Sequence, residues 1–413
     1  MSREIIEVLV IGAGPSGCVS ASYLKNNGIN VKIIEKAKFP RYVIGESLLP
    51  RCMDHFEEVG LLDCLKEQNF EPKRGARFLR KGEVCNFDFS QKHFNEGWDW
   101  TWQVPRDEFD NALAIETQKK GVEIEFESEV TNVVFNGSNS VITTKDINGN
   151  KKEIESKFVI DSSGYGRVLA KILDLDIPST LPKHSSIFTQ VKDIRRPKGE
   201  EGTLISFDIL ETQVWLWVIP FSNGNTSIGL VGPTAFINSF EGTPTERLNK
   251  MLQLSDYYKD RFVNLQDNYL FEPIIIHNYS KAVKQIYGKG YALTGNSSEF
   301  LDPVFSSGVT FATETGLLAA KLANKELKGE TVDWEKYYVA PIERGVAVFR
   351  TYVDEWYSGN LQELFFFQPE NKEVKKQICS VLAGYVWDDT NPFVKKHKRI
   401  IANFAHLIRR KEG

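Results

Sequence analysis

The chain has 413 residues, of which 41% are hydrophobic and 26% charged, a composition typical of a globular protein with room for two or three domains. Its net charge of −4 gives no case for a nucleic-acid partner. The five cysteines show neither a C-x-x-C pair nor metal-ligand spacing, which favours a reduced cytosolic setting without a metal site. The N-terminus leaves no room for a signal peptide, and no apolar run approaches the roughly 20 residues of a membrane span. We therefore expect a cytoplasmic protein without stable membrane insertion.

A strand, a glycine-rich turn, a helix and a second strand follow one another at the start of the chain. Residues 8–11 are apolar, residues 19–27 have helical spacing, and the apolar run 31–34 ends at Glu35. Between the first two lies Gly12-Ala13-Gly14-Pro15-Ser16-Gly17, and the whole order is the dinucleotide-binding fingerprint. Gly12 permits the turn, Gly14 the approach of a pyrophosphate, and Gly17 close helix–strand packing. Glu35 can accept hydrogen bonds from a ribose, which favours FAD or NAD over NADP; a chance glycine-rich turn is the alternative.

Three later segments are typical of backbone that lies against a flat ligand. The first is the loop Gly45-Glu46-Ser47, for which a plain loop and helix cap is the alternative. In the second, the apolar strand 158–161 runs into a turn of small residues that begins at Ser162. The third is a strand that ends at Gly295 and is followed by residues 307–309 near the start of a predicted helix, where free N–H groups can hold an anion.

Aromatic residues concentrate in two predicted strands. Trp98, Trp100 and Trp102 alternate, so they line one strand face, either as ordinary core or as the wall of an aromatic-binding pocket. Residues 185–273 alternate like an antiparallel sheet, within which Trp215 and Trp217 face the same side. Between these regions, Arg106 at the start of a predicted helix could reach a phosphate or a flavin edge, or be a surface arginine.

These elements predict an α/β fold: a Rossmann-like FAD-binding domain with a parallel sheet, an antiparallel-sheet substrate domain and a helical C-terminal region. The basic end of the chain is interpreted as a solvated helix face. We expect the FAD-binding domain to comprise residues 1–75, 103–184 and 276–342, the substrate domain to comprise 185–275 with a contribution from 76–102, and the helical region to be 343–413.

Several segments together resemble the FAD-dependent monooxygenases of the hydroxylase type, and within them the flavin-dependent halogenases. The general group has the N-terminal glycine motif and a turn like Asp161-Ser162-Ser163-Gly164. The halogenase branch is similar in three more places: Gly45-Glu46-Ser47-Leu48-Leu49-Pro50, Trp215-Leu216-Trp217-Val218-Ile219-Pro220 and Asp302-Pro303-Val304-Phe305-Ser306-Ser307-Gly308-Val309. The resemblance covers residues 5–330.

This resemblance implies that reduced FAD, oxygen and a halide give hypohalous acid, which travels to an aromatic substrate. Lys73 is the implied catalytic residue, since a buried lysine can hydrogen-bond this oxidant or form a haloamine. The halide would bind at Ser307 and Gly308, and the pocket wall would comprise Trp215, Trp217, Ile219, Pro220 and Phe305. The residues expected to bind FAD are Gly12, Ala13, Gly14, Pro15, Ser16, Gly17, Glu35, Lys36, Arg41, Gly45, Glu46, Ser47, Arg106, Val130, Asp161, Gly164, Gly295, Asn296, Pro303, Gly308 and Val309.

Two positions depart from the family pattern. Asn296 stands where the wider group has aspartate, and an amide can still hydrogen-bond the cofactor without repelling its pyrophosphate. Phe305 stands where tryptophan-using halogenases have glutamate, which disfavours free tryptophan and favours a phenol or pyrrole, either free or attached to an acyl carrier protein.

Two other functions fit the same residues. One is a flavin hydroxylase or a prenyl-lipid-type reductase, in which the substrate meets the flavin directly in an open pocket and Lys73 has no role. The other is an FAD-binding protein that has lost its chemistry, to which Asn296 gives some weight. Because only one dinucleotide fingerprint is present, reduced flavin would come from a flavin reductase, or NAD(P)H would visit the same site.

Overall fold

The computed structural model describes residues 4–137, 139–367 and 372–412, with the backbone alone at 411 and 412. Two large sheets dominate these residues, and each draws its strands from separate parts of the chain. The predicted α/β fold is confirmed. The residues at which we divide the chain into domains stay a prediction.

The first sheet is parallel at its centre. Its strands lie in the order Tyr287–Gly288, Tyr291–Leu293, Lys151–Asp161, Glu4–Ile11, Val31–Ile34 and Glu123–Glu125. The antiparallel strands Ser128–Asn136 and Asn139–Asp146 extend from Lys151–Asp161. Because successive side chains point to opposite faces, Val8 and Val10 pack against helices while Leu9 and Ile11 pack against the antiparallel extension. The helices on the first face include Pro15–Asn26, Arg106–Lys119 and Gly308–Leu327.

The second sheet has seven strands, in the order Ile274–His277, His184–Lys192, Asn225–Pro233, Val214–Pro220, Ser206–Glu211, Gly75–Arg80 and Glu83–Asp88. The predicted antiparallel pattern holds for all but one pair, since Ser206–Glu211 and Gly75–Arg80 run parallel. One face packs on the helices Pro244–Leu252 and Lys259–Phe262. The other face packs on the C-terminal helices Ala340–Tyr357, Asn360–Phe366, Glu373–Leu382, Pro392–Lys395 and His397–Glu412.

Shorter elements connect the two sheets. Glu71–Lys73 pairs with Thr101–Gln103, and Asp176–Ile177 pairs with Ala282–Val283. The remaining α-helices are Arg51–Glu58, Leu62–Lys66, Val168–Ile172 and Thr234–Asn238. None of the helices in the described part of the chain has the length and apolar character needed to cross a membrane.

The strand predicted around the three alternating tryptophans is wrong in extent, because only Thr101–Gln103 is extended in a ladder. The rings of Trp98, Trp100 and Trp102 nevertheless follow one another edge to face, with centroids 5.8 and 5.2 Å apart. Trp102 is buried in the core of the first sheet's helices, and Trp98 and Trp100 are partly buried and pack against that core. None of the three lines the large cavity described below, which favours the core interpretation over a pocket wall.

Candidate functional site

The glycine-rich turn has the close approaches that its motif predicts. Gly12 has a φ of +99°, and a Cβ there would lie 2.6 Å from the carbonyl oxygen of Ser162. A Cβ on Gly17 would lie 1.9 Å from the carbonyl oxygen of Gly12, so only glycine lets the helix begin here. A Cβ on Gly14 would meet only Arg41, at 3.8 Å. The protein thus leaves open space in front of Gly14, where the motif places a pyrophosphate.

Glu35 is tied to the same turn. Its carboxylate accepts hydrogen bonds from the backbone N–H of Ala13 and of Ala37, both at 2.8 Å. Ala13 itself does not line the cavity that the turn borders, so its part is to orient Glu35. The carboxylate is thereby held at the end of the strand Val31–Ile34, where a ribose can reach it.

One cavity of about 760 Å³ connects this turn with the second sheet. It brings together most of the residues predicted to bind FAD: Gly12, Gly14, Pro15, Ser16, Glu35, Lys36, Arg41, Gly45, Glu46, Ser47, Arg106, Val130, Gly164, Gly295, Asn296, Pro303, Gly308 and Val309. Gly17 and Asp161 do not line it. The buried carboxylate of Asp161 instead accepts hydrogen bonds from the N–H groups of Ser163 and Leu169, and so shapes the turn from below.

Two arginines face the cavity around one buried carboxylate. Asp110 accepts hydrogen bonds from Arg106 at 2.8 and 3.0 Å and from Arg41 at 2.8 Å. Arg106 also donates to the carbonyl oxygens of Ile44 and Gly45, so it supports the predicted flavin-side loop. The surface interpretation of Arg106 is wrong, since only 7% of this residue is exposed. Two positive charges against one negative charge favour an anion in the cavity.

Glu46 is a buried carboxyl group in the wall of this cavity. Its Oε1 accepts a hydrogen bond of 2.6 Å from Gln190, a residue that sequence reasoning missed because it lies 144 positions away. Burial raises the pKa of Glu46 to about 7. The group can therefore be protonated or ionised near neutral pH.

Lys73 lies behind the cavity wall. It is 2% exposed, and its Nζ donates to the hydroxyl of Ser47 and to the carbonyl oxygen of Leu48, both at 2.8 Å. The hydroxyl of Ser306 donates to Ser47 at 3.0 Å. The ring of Phe89 covers the other side of the amine, with its centroid 5.5 Å away. Burial lowers the pKa of Lys73 to about 7, so a large share of the amine is uncharged at neutral pH.

The loop before the helix Gly308–Leu327 separates two cavities. Pro303, Ser306 and Gly308 line the large cavity, whereas Ser307 faces a smaller one of about 260 Å³ that Gly308 also borders. Ser306 has a φ of +56°, which turns the chain into the helix. The predicted halide residues Ser307 and Gly308 thus lie at the helix N-terminus, where backbone N–H groups have no partner within the helix.

The wall of the large cavity differs from the prediction at two positions. Trp215, Trp217 and Ile219 line the cavity, as their alternation requires, but Pro220 points to the opposite face of the same strand. Phe305 packs against Tyr352 and Trp356 in the C-terminal core and does not reach the cavity. Phe207, Ser186, Ile276, Tyr279 and Phe300 complete this part of the lining.

Asp302 holds this loop through residues that the sequence did not single out. Its carboxylate accepts hydrogen bonds from Tyr279 at 2.7 Å, from Tyr357 at 2.9 Å and from the N–H of Val304 at 3.0 Å. Trp215 donates its indole N–H to the hydroxyl of Tyr357 at 3.2 Å. Burial raises the pKa of Asp302 to about 6. The tryptophan wall, the C-terminal helix and the loop are therefore connected through one carboxylate.

Residues 5–233 match the family described as "FAD binding domain". A flavoprotein/dehydrogenase from Cytophaga hutchinsonii has a crystal structure that is 50% identical, with 99% of this chain and 100% of that one covered and a TM-score of 0.96. A tryptophan 2-halogenase from Chondromyces crocatus is 27% identical over 92% of this chain and 76% of its own length. A 1H-pyrrole-2-carbonyl-[peptidyl-carrier protein] chlorinase from Pseudomonas fluorescens is 25% identical over 97% and 94% of the two chains.

The cavity, its glycine turn and its two arginines fit FAD, and the similarities extend over almost the whole chain. The chain belongs to the FAD-binding domain family, is similar to flavin-dependent halogenases, and is an FAD-dependent oxidoreductase.

Proposed function

We infer that this enzyme uses reduced FAD, oxygen and a halide to halogenate an electron-rich aromatic of the phenol or pyrrole type, either free or attached to a carrier protein. The observation that carries this inference is the connection from Lys73 through Ser47 to Ser306. It joins a buried amine to two of the three motifs of the resemblance, the loops that contain Ser47 and Ser306.

The residues for the cofactor are those around the large cavity. Glu35 would hold the ribose, the N–H groups after Gly14 and the guanidinium of Arg41 the pyrophosphate, and Glu46 and Ser47 the edge of the flavin. Asn296 borders the same cavity, and its backbone oxygen accepts a hydrogen bond from Arg167 at 2.9 Å, so its place does not depend on a carboxylate. When bound and reduced, FAD supplies the electrons with which oxygen and a halide give hypohalous acid.

Lys73 would act on this oxidant with an uncharged amine. A charged ammonium has no lone pair, whereas the free amine can both donate a hydrogen bond to hypohalous acid and take up its halogen. The enclosure of Lys73 by Phe89 excludes water, which would otherwise disperse the oxidant. The hydroxyl of Ser47 keeps the amine at a fixed distance from the loop.

The choice of aromatic substrate rests on the family resemblance at position 305. This chain has the apolar Phe305 where the tryptophan-using enzymes of the family have a carboxylate, although the ring itself packs in the C-terminal core. A similar enzyme acts on a carrier-bound pyrrole, which supports a substrate of that kind. Reduced flavin would come from a separate flavin reductase, or from NAD(P)H at the same site.

The experiment supplies the purified protein with reduced FAD, oxygen, bromide and a reactive phenol. Bromination that depends on bromide, on protein and on Lys73 supports the proposal. The matched variant is Lys73→Met, which keeps the volume of the side chain and removes the amine. If Lys73→Met brominates as fast as the unchanged protein while FAD stays bound, Lys73 has no catalytic role.

The second candidate function is hydroxylation or reduction of a substrate that meets the flavin directly. One observation favours it: the large cavity continues from the cofactor turn to Phe207, Trp215 and Tyr279, whereas Lys73 does not line it. In that case the phenol would be oxygenated without bromide, or a double bond would be reduced without oxygen. Mass analysis of the product distinguishes the two functions.

A further inference from the structure

The C-terminal helices carry a positive surface on a protein whose other residues are negative overall. Residues 372–412 contain ten Lys and Arg against four Asp and Glu, whereas the rest of the chain contains 41 against 51. Two of the four acidic residues of this region form ion pairs with residues outside it: Glu373 pairs with His93, and Asp389 pairs with Arg344. We call the basic surface the six exposed cations Lys375, Lys376, Lys395, Lys396, Lys398 and Arg399.

The basic surface adjoins the segment of residues 89–94, part of which covers the catalytic candidate Lys73. The helix Glu373–Leu382 is hydrogen-bonded to this segment: His93 donates its N–H to the carbonyl oxygen of Lys376 at 3.1 Å, and Phe94 donates to the hydroxyl of Ser380 at 2.9 Å. The same segment contains Phe89, whose ring covers the amine of Lys73.

The two halves of the basic surface are connected to each other. The amide of Asn391 donates to the carbonyl oxygen of Gln377 at 2.8 Å, which ties the helix Pro392–Lys395 to the helix Glu373–Leu382. Lys395 and Lys396 are thereby placed beside the helix Glu373–Leu382, which contains Lys375 and Lys376. Six positive charges on adjoining helices attract an anionic partner and steer its approach.

A flexible arm on the substrate would allow the substrate to reach Lys73, which is enclosed by the protein. Lys73 is 2% exposed and does not line the large cavity, so a substrate must be carried inward past the surface segment. A carrier domain does this with a flexible arm that is attached through a phosphodiester, itself an anion. A nucleic acid is also anionic, but the negative charge of the other 372 residues would repel a long polymer.

We propose that the basic surface is the docking site of an acidic carrier domain whose tethered aromatic substrate is delivered to Lys73. This inference rests on the proposed function for the identity of the substrate. The docking contact itself is a binding equilibrium that can be measured without turnover.

The experiment measures binding of a purified holo carrier protein, labelled on its arm, to the FAD-loaded enzyme by fluorescence anisotropy. The test variants are Lys375→Glu/Lys376→Glu and Lys395→Glu/Lys396→Glu. The control variant is Lys198→Glu/Lys289→Glu, which reverses two exposed lysines on other elements. We expect each test variant to weaken binding about tenfold or more, and the control less than about threefold. Affinity should also fall steeply between about 50 and about 200 mM salt.

Folding is monitored by thermal unfolding and FAD content, which all three variants should retain. The proposal is overturned if the carrier does not bind, or if the test and control variants bind it equally well. It is also overturned if a single-stranded oligonucleotide or phosphatidylserine vesicles bind the same surface and the carrier does not. A wild-type enzyme that brominates no phenol but binds the carrier through this surface would refute the proposed function and leave the docking site standing.

Discussion

The amine of Lys73 donates a hydrogen bond of 2.8 Å to the hydroxyl of Ser47. The residues next to Lys73 and Ser47 in the sequence give no indication of this contact. Ser47 faces the cofactor cavity and Lys73 does not, so the serine forms the boundary between the two. The relationship explains how a lysine outside the cavity can still be placed relative to a flavin. Because Lys73 is buried, its protonation state should affect both the free energy of unfolding and the rate of bromination, and each can be measured as a function of pH.

Replacing this lysine should stabilise the protein while abolishing bromination. A buried charge without an opposite charge is costly, and methionine fills the same space without it. We expect Lys73→Met to raise the free energy of unfolding by about 1 to 3 kcal/mol at pH 6, measured by urea unfolding. The control is Lys36→Met, an exposed lysine paired with Glu129, which should change stability by less than about 0.5 kcal/mol. Destabilisation by Lys73→Met would mean that the amine holds the fold together.

The stability difference between Lys73→Met and the unchanged protein should depend on pH in one direction. Burial lowers the pKa of Lys73 from 10.5 in the unfolded chain to about 7 in the folded protein, so the folded state binds the proton less well. The resulting penalty is complete below pH 7, shrinks as the pH rises from 7 towards 10.5, and then vanishes. Urea unfolding across this range should show the advantage of Lys73→Met decline with rising pH. A constant difference would contradict the pKa shift.

The rate of bromination should also depend on the protonation of Lys73, and it should rise as the pH rises. If the free amine is the active form, the rate rises through pH 7 and reaches a plateau above it. Single-turnover rates with pre-reduced FAD isolate this step from flavin reduction. A rate that falls through pH 7 would assign the activity to the ammonium form.

Replacement by alanine should have different effects at two glycines of the turn, Gly17 and Gly14. A Cβ at Gly17 would lie 1.9 Å from a carbonyl oxygen, so Gly17→Ala should cost about 3 kcal/mol or more of stability even without cofactor. A Cβ at Gly14 has space, so Gly14→Ala should fold normally and bind FAD at least about tenfold more weakly. Thermal unfolding of the apoprotein and FAD titration separate the two effects. Equal FAD affinity for Gly14→Ala would show that the pyrophosphate lies elsewhere.

Arg41 should contribute more to FAD binding than Lys36, although both line the cavity. Arg41 is fixed by Asp110 beside Gly14, whereas Lys36 is exposed and paired with Glu129. A fixed guanidinium makes strong hydrogen bonds to phosphate. We expect Arg41→Ala to weaken FAD binding by about ten- to a hundredfold and Lys36→Ala by less than about threefold, in titrations followed by flavin fluorescence. The reverse order would place the pyrophosphate away from Arg41.

The parts of the candidate site whose geometry could be predicted from the sequence are those that depend on neighbours in the chain. The glycine turn is one such part, since Gly12, Gly14 and Gly17 act within one strand and one helix. Alternation also placed Trp215 and Trp217 together. The same alternation puts Pro220 on the opposite face, so that error was avoidable from the sequence itself.

The parts that were missed depend on contacts between distant residues. Asp302 is connected to Tyr357 across 55 positions, and Glu46 to Gln190 across 144. Nothing local indicates such pairs. Phe305 was misplaced because residues 303–305 form a single 3₁₀ turn, in which residues three apart share a face. Pro303 and Ser306 therefore face the cavity, and Phe305 faces the core.

The measurement that tests the central claim most directly is one turnover of the enzyme with pre-reduced FAD, bromide, ¹⁸O₂ and a reactive phenol. The account predicts a brominated phenol without ¹⁸O, and much less of it from Lys73→Met with FAD fully bound. A phenol that carries ¹⁸O and no bromine, in equal yield from both proteins, would contradict halogenation and assign the cavity to a hydroxylase.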